Sequence, residues 1–414
     1  TNFVISLIIQ LTKQARLVNN GANLWFPVAV NKLLALPQSP LFNPIDAFLE
    51  LSLLISPRLG VLCKFIGVAT LRSYGLKLDE SLEQEPLVSL LGRILYRIKM
   101  LSDQQPLDSL SLSYVLPLLT RVLYDGKAVA IKNASKVAVT SEFVEEDPEE
   151  EQLLLAIEII SAHAESFEDD KIPRTSILEV LISLMKLPSK AKLSKECFLS
   201  LCQHIAFNIC EGDLQLLLGS LITPHVFVRS TLLEGLDAEF ELEKYSKELF
   251  VVAHDNDQNC REIAQTIWDD NELKVEDASN LLSLFGNSDA GLRNSIAHAY
   301  VDACQQTALN IQELFALYEE KKDPPAPKLD QFGLVIKSTI DNRDRWEERS
   351  TVAIALKLLA PLYTEAHVKQ LFEFLVETCD KDELVAQELQ DAGVEAIKLH
   401  GASNVEVLIP IFEN

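Results

Sequence analysis

The sequence predicts an all-α chain: antiparallel helix pairs stacked into a curved superhelical rod, an α-solenoid. Three observations predict it. Apolar residues recur at spacings of three and four through nearly all of the 414 residues, the period of a helix face. Strand signals are scarce: there are only 14 Gly, and no Asn-Gly or Asp-Gly pair joins two alternating segments. Finally, one motif returns at a fixed interval, the mark of a repeat array. At roughly 40 residues per repeat, the length corresponds to about ten repeats.

Taken in order, residues 86–101 carry Leu87, Leu90, Leu91, Ile94, Leu95, Ile98 and Leu101, a wide helical stripe that another element must cover. Residues 152–164 do the same through Leu154, Ile157, Ile160 and Ala164. Breakers such as Pro37, Pro57, Pro86, Pro106, Pro148, Pro173, Pro188 and Pro224 punctuate these stretches. Three regions follow within one continuous solenoid: 1–141, mildly basic; 142–322, opened by an acidic loop and holding the clearest repeats at 224–306; and 323–414, opened by a Pro-rich linker at 323–331. In the loop 142–151, seven of ten residues are Asp or Glu, and it runs into a helix N-terminus whose dipole favours them.

The repeat is read from Arg229, Arg261 and Arg293, 32 residues apart twice. An apolar residue precedes each (Val228, Cys260, Leu292), and apolar residues follow at three (Leu232, Ala264, Ile296) and seven (Leu236, Trp268, Tyr300). Four before stand His225, Asp257 and Asp289. A looser copy has Arg349 with Val352 and Leu356, and a fifth, 382–397, keeps the spacing without the Arg. Each buried Leu, Ile or Val contributes about 1.5–3 kcal/mol, so such a hairpin is held mainly by its neighbours. Asp257, Asp289 and the arginines at 229, 261, 293 and 349 are expected to form a ladder of ion pairs between repeats. The acid-x-x-apolar-Arg-x-x-apolar pattern is similar to the second helix of HEAT repeats; the ankyrin and tetratricopeptide signatures are absent.

Composition sets limits on function. Apolar residues are 48%, charged residues 24%, and mean hydropathy is +0.12, enough for a large core. Net charge is −24 and pI about 4.7, which disfavours binding of bare nucleic acid by the whole chain. The charge is uneven: residues 1–140 carry +5 and the remainder −29. Seven cysteines without a Cys-x-x-Cys pair read as reduced, buried thiols. The apolar run Phe3–Leu11 is too short for a membrane, and Phe48–Leu71 is interrupted by Glu50, Pro57, Arg58 and Lys64. A first residue of Thr reads as a piece of a longer chain.

No catalytic constellation is present: no phosphate-binding Gly loop, no Gly-x-Ser-x-Gly, no His-Glu-x-x-His. Neither a cofactor nor a small-molecule substrate is expected. Cys197, Cys202 and His204 do not form a zinc set by themselves. The run Asp255–Asn259 lacks the Gly and Glu of a calcium loop and reads instead as a turn in which Asp255 or Asp257 caps the next helix. Two lysine clusters, Lys127, Lys132 and Lys136 in one turn and Lys186, Lys190, Lys192 and Lys195 in another, are candidate contacts to phosphates. Trp25, Trp268 and Trp346 are the candidate exposed anchors; Trp268 and Trp346 sit in the repeat motif, where core packing is the default expectation.

The stretches Gln84-Glu-Pro-Leu-Val-Ser-Leu-Leu-Gly-Arg-Ile-Leu-Tyr-Arg97 and Ser113-Tyr-Val-Leu-Pro-Leu118, with the repeat around 224–229, carry a more specific resemblance. They resemble the middle of the giant HEAT-repeat translational activator of general amino-acid control, the part preceding its elongation-factor-three-like region. That resemblance implies a cytoplasmic, ribosome-associated scaffold that senses stalled or collided ribosomes and promotes activation of the starvation-responsive kinase of translation initiation factor two. Its implied partners are the ribosome, through protein or rRNA backbone, and other translation-control proteins through the full-length chain, with no membrane. No kinase-docking segment and no functional residue of that family carries over to a position here. The alternative is an importin-type nuclear transport receptor, also an acidic HEAT array, whose inner face holds basic cargo.

Overall fold

The computed structural model describes residues 95, 98–99, 102–103, 106–107, 109–140, 148–236, 242, 247–275, 277–324, 331, 335 and 343–413. Trp25, Cys63, the two apolar runs before residue 72, and most of 84–101, 142–147 and 325–330 lie outside them. The side chain of Lys136 does as well. The described helices divide into two units, Thr1–Leu217 with Glu234–Phe240, and Leu218–Leu233 with Glu241–Asn414.

The first unit begins with α1 (Ser109–Thr140) and continues through α2 (Pro148–Ala162), α3 (Thr175–Leu184), α4 (Ala191–Ile205) and the start of α5 (Glu211–Ser220). Helix α2 lies between α1 and α4, and α3 packs on both α1 and α4. This explains why α2 is buried more widely than a single stripe: Leu153 and Ile159 are buried together with Ile157 and Ile160, while Leu154 is only half-buried. Helix α1 runs straight through Asp125-Gly126, so Lys127, Lys132 and Lys136 sit on a helix and not in the expected turn. An interior glycine costs about 1 kcal/mol against alanine. The buried face of Val115, Leu118, Leu119, Val122 and Leu123 outweighs it. The Arg121–Asp125 pair, four residues apart, adds a small term. His163, at the end of α2, is a neutral core histidine. Its Nδ1 faces the Ile159 carbonyl at 2.6 Å, and its Nε2 accepts the Leu107 N–H at 3.0 Å.

The second unit takes up α6 (Val226–Leu236) over its residues 226–233 and continues with α7 (Lys247–Val252), α8 (Gln258–Asp270), α9 (Ala290–Gln306), α10 (Ile311–Lys322), α11 (Trp346–Leu358), α12 (Glu365–Glu377), α13 (Glu383–His400) and α14 (Val405–Glu413). Its packing is that of repeats. Helix α9 stacks on α11 and α11 on α13, while α10 and α12 pair with α11 and α13, and α12 also packs on α14. Between α8 and α9 the outer helix shrinks to a 3-10 segment, Ala278–Leu284, capped by Asp277. The core joins Phe285, Ile296, Tyr300, Tyr318, Val352 and Leu356, with Leu389 and Ala392 from α13.

Helix starts follow from their caps. Asp257 accepts the Cys260 N–H at 2.9 Å, Asp289 that of Leu292 at 2.9 Å, and Asp382 those of Leu384 and Val385. Each supplies an acceptor for a helix-end donor that would otherwise lack one. The described elements are all helical, in keeping with an all-α HEAT-repeat architecture, and no helix among the described residues is long and apolar enough to cross a membrane.

Candidate interaction sites and the arginine rungs

The repeat arginines occupy the fourth position of α6, α8, α9 and α11. From there a guanidinium reaches back over the helix start to the preceding turn. Arg229 Nη1 donates to the Thr223 carbonyl (2.6 Å), Arg261 Nη1 to that of Asp255 (2.7 Å), and Arg293 Nη1 to those of Asn287 and Ser288 (3.1 and 3.0 Å).

What the rest of each guanidinium meets differs. Arg229 grips Asp255 through Nε (2.6 Å) and Nη2 (3.0 Å), and both residues are buried. Arg349, fully buried, grips Asp380 at 2.7 and 2.9 Å and also meets Asp344 at 2.8 Å and the Lys321 carbonyl. Tyr318 donates its hydroxyl to the same Asp380. Burial pushes the Asp380 carboxyl up, but Arg349, Tyr318 and the Asp382 N–H outweigh it and hold the group below the usual range. In the first unit Arg174 does the same with Asp213 (2.7 Å), which Thr175 also contacts.

The expected ladder of Asp257 and Asp289 is therefore corrected. These two aspartates are spent on helix N-termini, and the acids that meet arginines, Asp255 and Asp380, stand two residues before a cap. Where that position is Asn287, Arg261 finds no carboxylate and stays half-exposed. Arg293 instead lies over the Trp346 ring, 4.7 Å from its centroid.

The lysine candidates also separate. Lys190 is buried against Glu150 (2.7 Å), and Lys195 pairs with Glu234 (2.7 Å). Lys192 is almost fully exposed beside Glu196 on the first turn of α4; Lys186 is exposed in the turn before it. Lys132 is exposed on α1, and Lys127 lies over the Tyr124 ring at 4.9 Å. Glu150 links the two clusters: it accepts from Asn133 of α1 at 2.9 Å while pairing with Lys190. Burial pushes Glu150 up, and Lys190 and Asn133 bring it below the usual range.

The thiols divide too. Burial pushes Cys197 and Cys260 up to about 12 and Cys304 to about 11, while Cys210 and Cys379 are exposed, contrary to the expectation that all are buried. His204 faces Glu168 at 2.9 Å. Among the described residues no group of three or more His, Cys, Asp or Glu is placed to hold a metal. The arrangement offers hydrogen bonds, charge and apolar contact.

Comparison with known proteins decides the lineage. A family model described as stalled ribosome sensor GCN1, HEAT repeats, matches residues 235–414, and a fungal GCN1-like HEAT-repeat model matches 55–186. A Saccharomyces cerevisiae relative, the eIF-2-alpha kinase activator GCN1, is 48% identical over 99% of this chain. The chain belongs to the GCN1 family. The stalled ribosome sensors GCN1 of mouse and human are 29% and 27% identical over 93% and 95% of the chain. The chain spans about 16% of the length of these relatives. Sequence reasoning on this GCN1-family chain missed Arg174 with Asp213, and the acids Asp255 and Asp380. The signal for the last two was an Asp-x-Asp ahead of a helix, present at 255–257 and 380–382.

Proposed function

We propose that this chain is a non-catalytic scaffold segment of a cytoplasmic, ribosome-associated activator that senses stalled ribosomes and promotes activation of the kinase of translation initiation factor two in amino-acid starvation. The observation that carries this is the 48% identity, over nearly the whole chain, to a yeast protein named as an activator of that kinase. The mouse and human relatives are named as stalled ribosome sensors. None of these relatives is named as a transport receptor, so the importin-type reading has no support among them.

Contact with rRNA phosphates is assigned to the exposed lysines, Lys132, Lys186 and Lys192, with Lys127 beside them on α1; Lys190 and Lys195 are already committed to carboxylates. The test uses the full-length protein as the sole cellular copy, with Lys132, Lys186 and Lys192 reversed to Glu. Polysome co-sedimentation should fall, most clearly at low salt, and its dependence on salt should become shallower, because fewer phosphates are neutralised and fewer counterions released. Phosphorylation of the initiation factor after amino-acid withdrawal should fall with it. Unchanged co-sedimentation at every salt concentration would remove the lysines from the account. A wild-type protein that does not co-sediment would remove the ribosome.

A further inference from the structure

The short turn Ala206–Asn208 between α4 and α5 presents Phe207 to solvent. At 77% it is the most exposed large apolar side chain among the described residues. A single exposed apolar residue is ordinarily unremarkable. This one differs in how it is held.

The residues on either side of it are fixed. Ala206 is buried. Asn208 gives its carbonyl to the buried Arg174 guanidinium, and its amide donates to the Glu168 carbonyl at 2.9 Å. Arg174 is itself fastened, through Nη1 to the Phe167 carbonyl at 2.7 Å and through Nε to Asp213 at 2.7 Å. The most elaborate polar cluster of this unit thus holds still a turn whose one large side chain points into water. An aromatic held this way loses little freedom on binding. Energy at interfaces concentrates in such central anchors.

The surroundings choose the partner. The segment that receives Asn208 continues from Glu168 into Asp169 and Asp170, all exposed, and Glu211 is exposed four residues after Phe207. Lys171 is the opposing charge in that segment. A phosphate backbone is repelled here, and base stacking needs a positive groove. A basic protein surface with an apolar recess is complementary in both charge and shape.

We propose that Phe207, with its carboxylate flank, is the docking anchor for a basic protein surface on the particle assigned above; the proposal rests on that reading. The test places the photo-crosslinking residue p-benzoylphenylalanine at position 207 of the full-length protein and irradiates it on purified ribosomes. The expected adduct is a basic ribosomal protein. Phe207→Ala should weaken binding about tenfold, the scale of an interface anchor. Asp169→Lys with Asp170→Lys should lower the cross-link yield severalfold. The proposal is overturned by co-sedimentation without an adduct, by an adduct to rRNA, or by a yield that the charge reversal leaves unchanged or raises. Loss of co-sedimentation by the wild-type protein would instead overturn the ribosomal reading, and this proposal with it.

Discussion

Arg349 and Arg261 occupy the same place in their helices, yet one is sealed in the core and the other half-exposed. The difference is one atom's chemistry in the following turn. Asp380 offers two charged oxygens to Arg349, whereas Asn287 stands where Arg261 would find its acid. Both residues still perform the local task of that position: Asp380 accepts the Asp382 N–H, and Asn287 that of Asp289, each at 2.9 Å. The turn is thus kept by either residue, but burial of the arginine requires a partner for its charge, here the carboxylate, since a buried charge without a partner is costly. Arg293 shows a third solution, with an aromatic face in place of an acid.

The comparison can be broken most forcefully at Arg349. Arg349→Ala leaves the buried Asp380 without its cation, and is expected to cost about 3–5 kcal/mol, the scale of a broken buried pair, read as a lowered urea midpoint of the second unit. An unchanged midpoint would show that the buried pair contributes nothing. This penalty should also depend on pH. The folded carboxyl of Asp380 lies below its unfolded value, so its contribution is complete above the ordinary aspartate range and lost as pH falls through the folded value. The gap between wild type and Arg349→Ala should therefore narrow when unfolding is measured toward pH 3. At Arg261, where only the Asp255 carbonyl is engaged, substitution by Ala should cost about 1 kcal/mol, the net value of an ordinary hydrogen bond. The smallest effect sharpens the comparison instead. Asn287→Asp supplies the missing acid and should stabilise by a few tenths to about 1 kcal/mol, as partly exposed pairs do. In a double-mutant cycle that gain should vanish when Arg261 is Ala.

Much of the fold was legible in the sequence because helix periodicity and a returning arginine are local patterns. Val228, Leu232, Leu292 and Ile296 are buried as their spacing requires. The choice of acid was not legible in the same way. Asp257 and Asp289 lie one helical turn before their arginines, a distance that suggests pairing, but capping claims them first. The acids that do pair, Asp255 with Arg229 and Asp380 with Arg349, come from the next turn, 26 and 31 residues on, and only a folded chain brings them near. Asp125-Gly126 misled for a related reason: the pair reads as a break, and the buried apolar face of α1 overrides it. The lysines were visible as a cluster, but their partners Glu150 and Glu234 lie about 40 residues away in sequence.

Every buried carboxylate partner lies ahead of its arginine, although Arg349 also meets the partly exposed Asp344 five residues behind it. Arg174, Arg229 and Arg349 each precede their aspartate, by 39, 26 and 31 residues. During synthesis the cation therefore emerges first and waits, hydrated, until the matching anion has been translated. A half-made hairpin keeps a charge at its growing edge, which opposes premature collapse onto a stranger, and each newly emerged turn completes the one made before it.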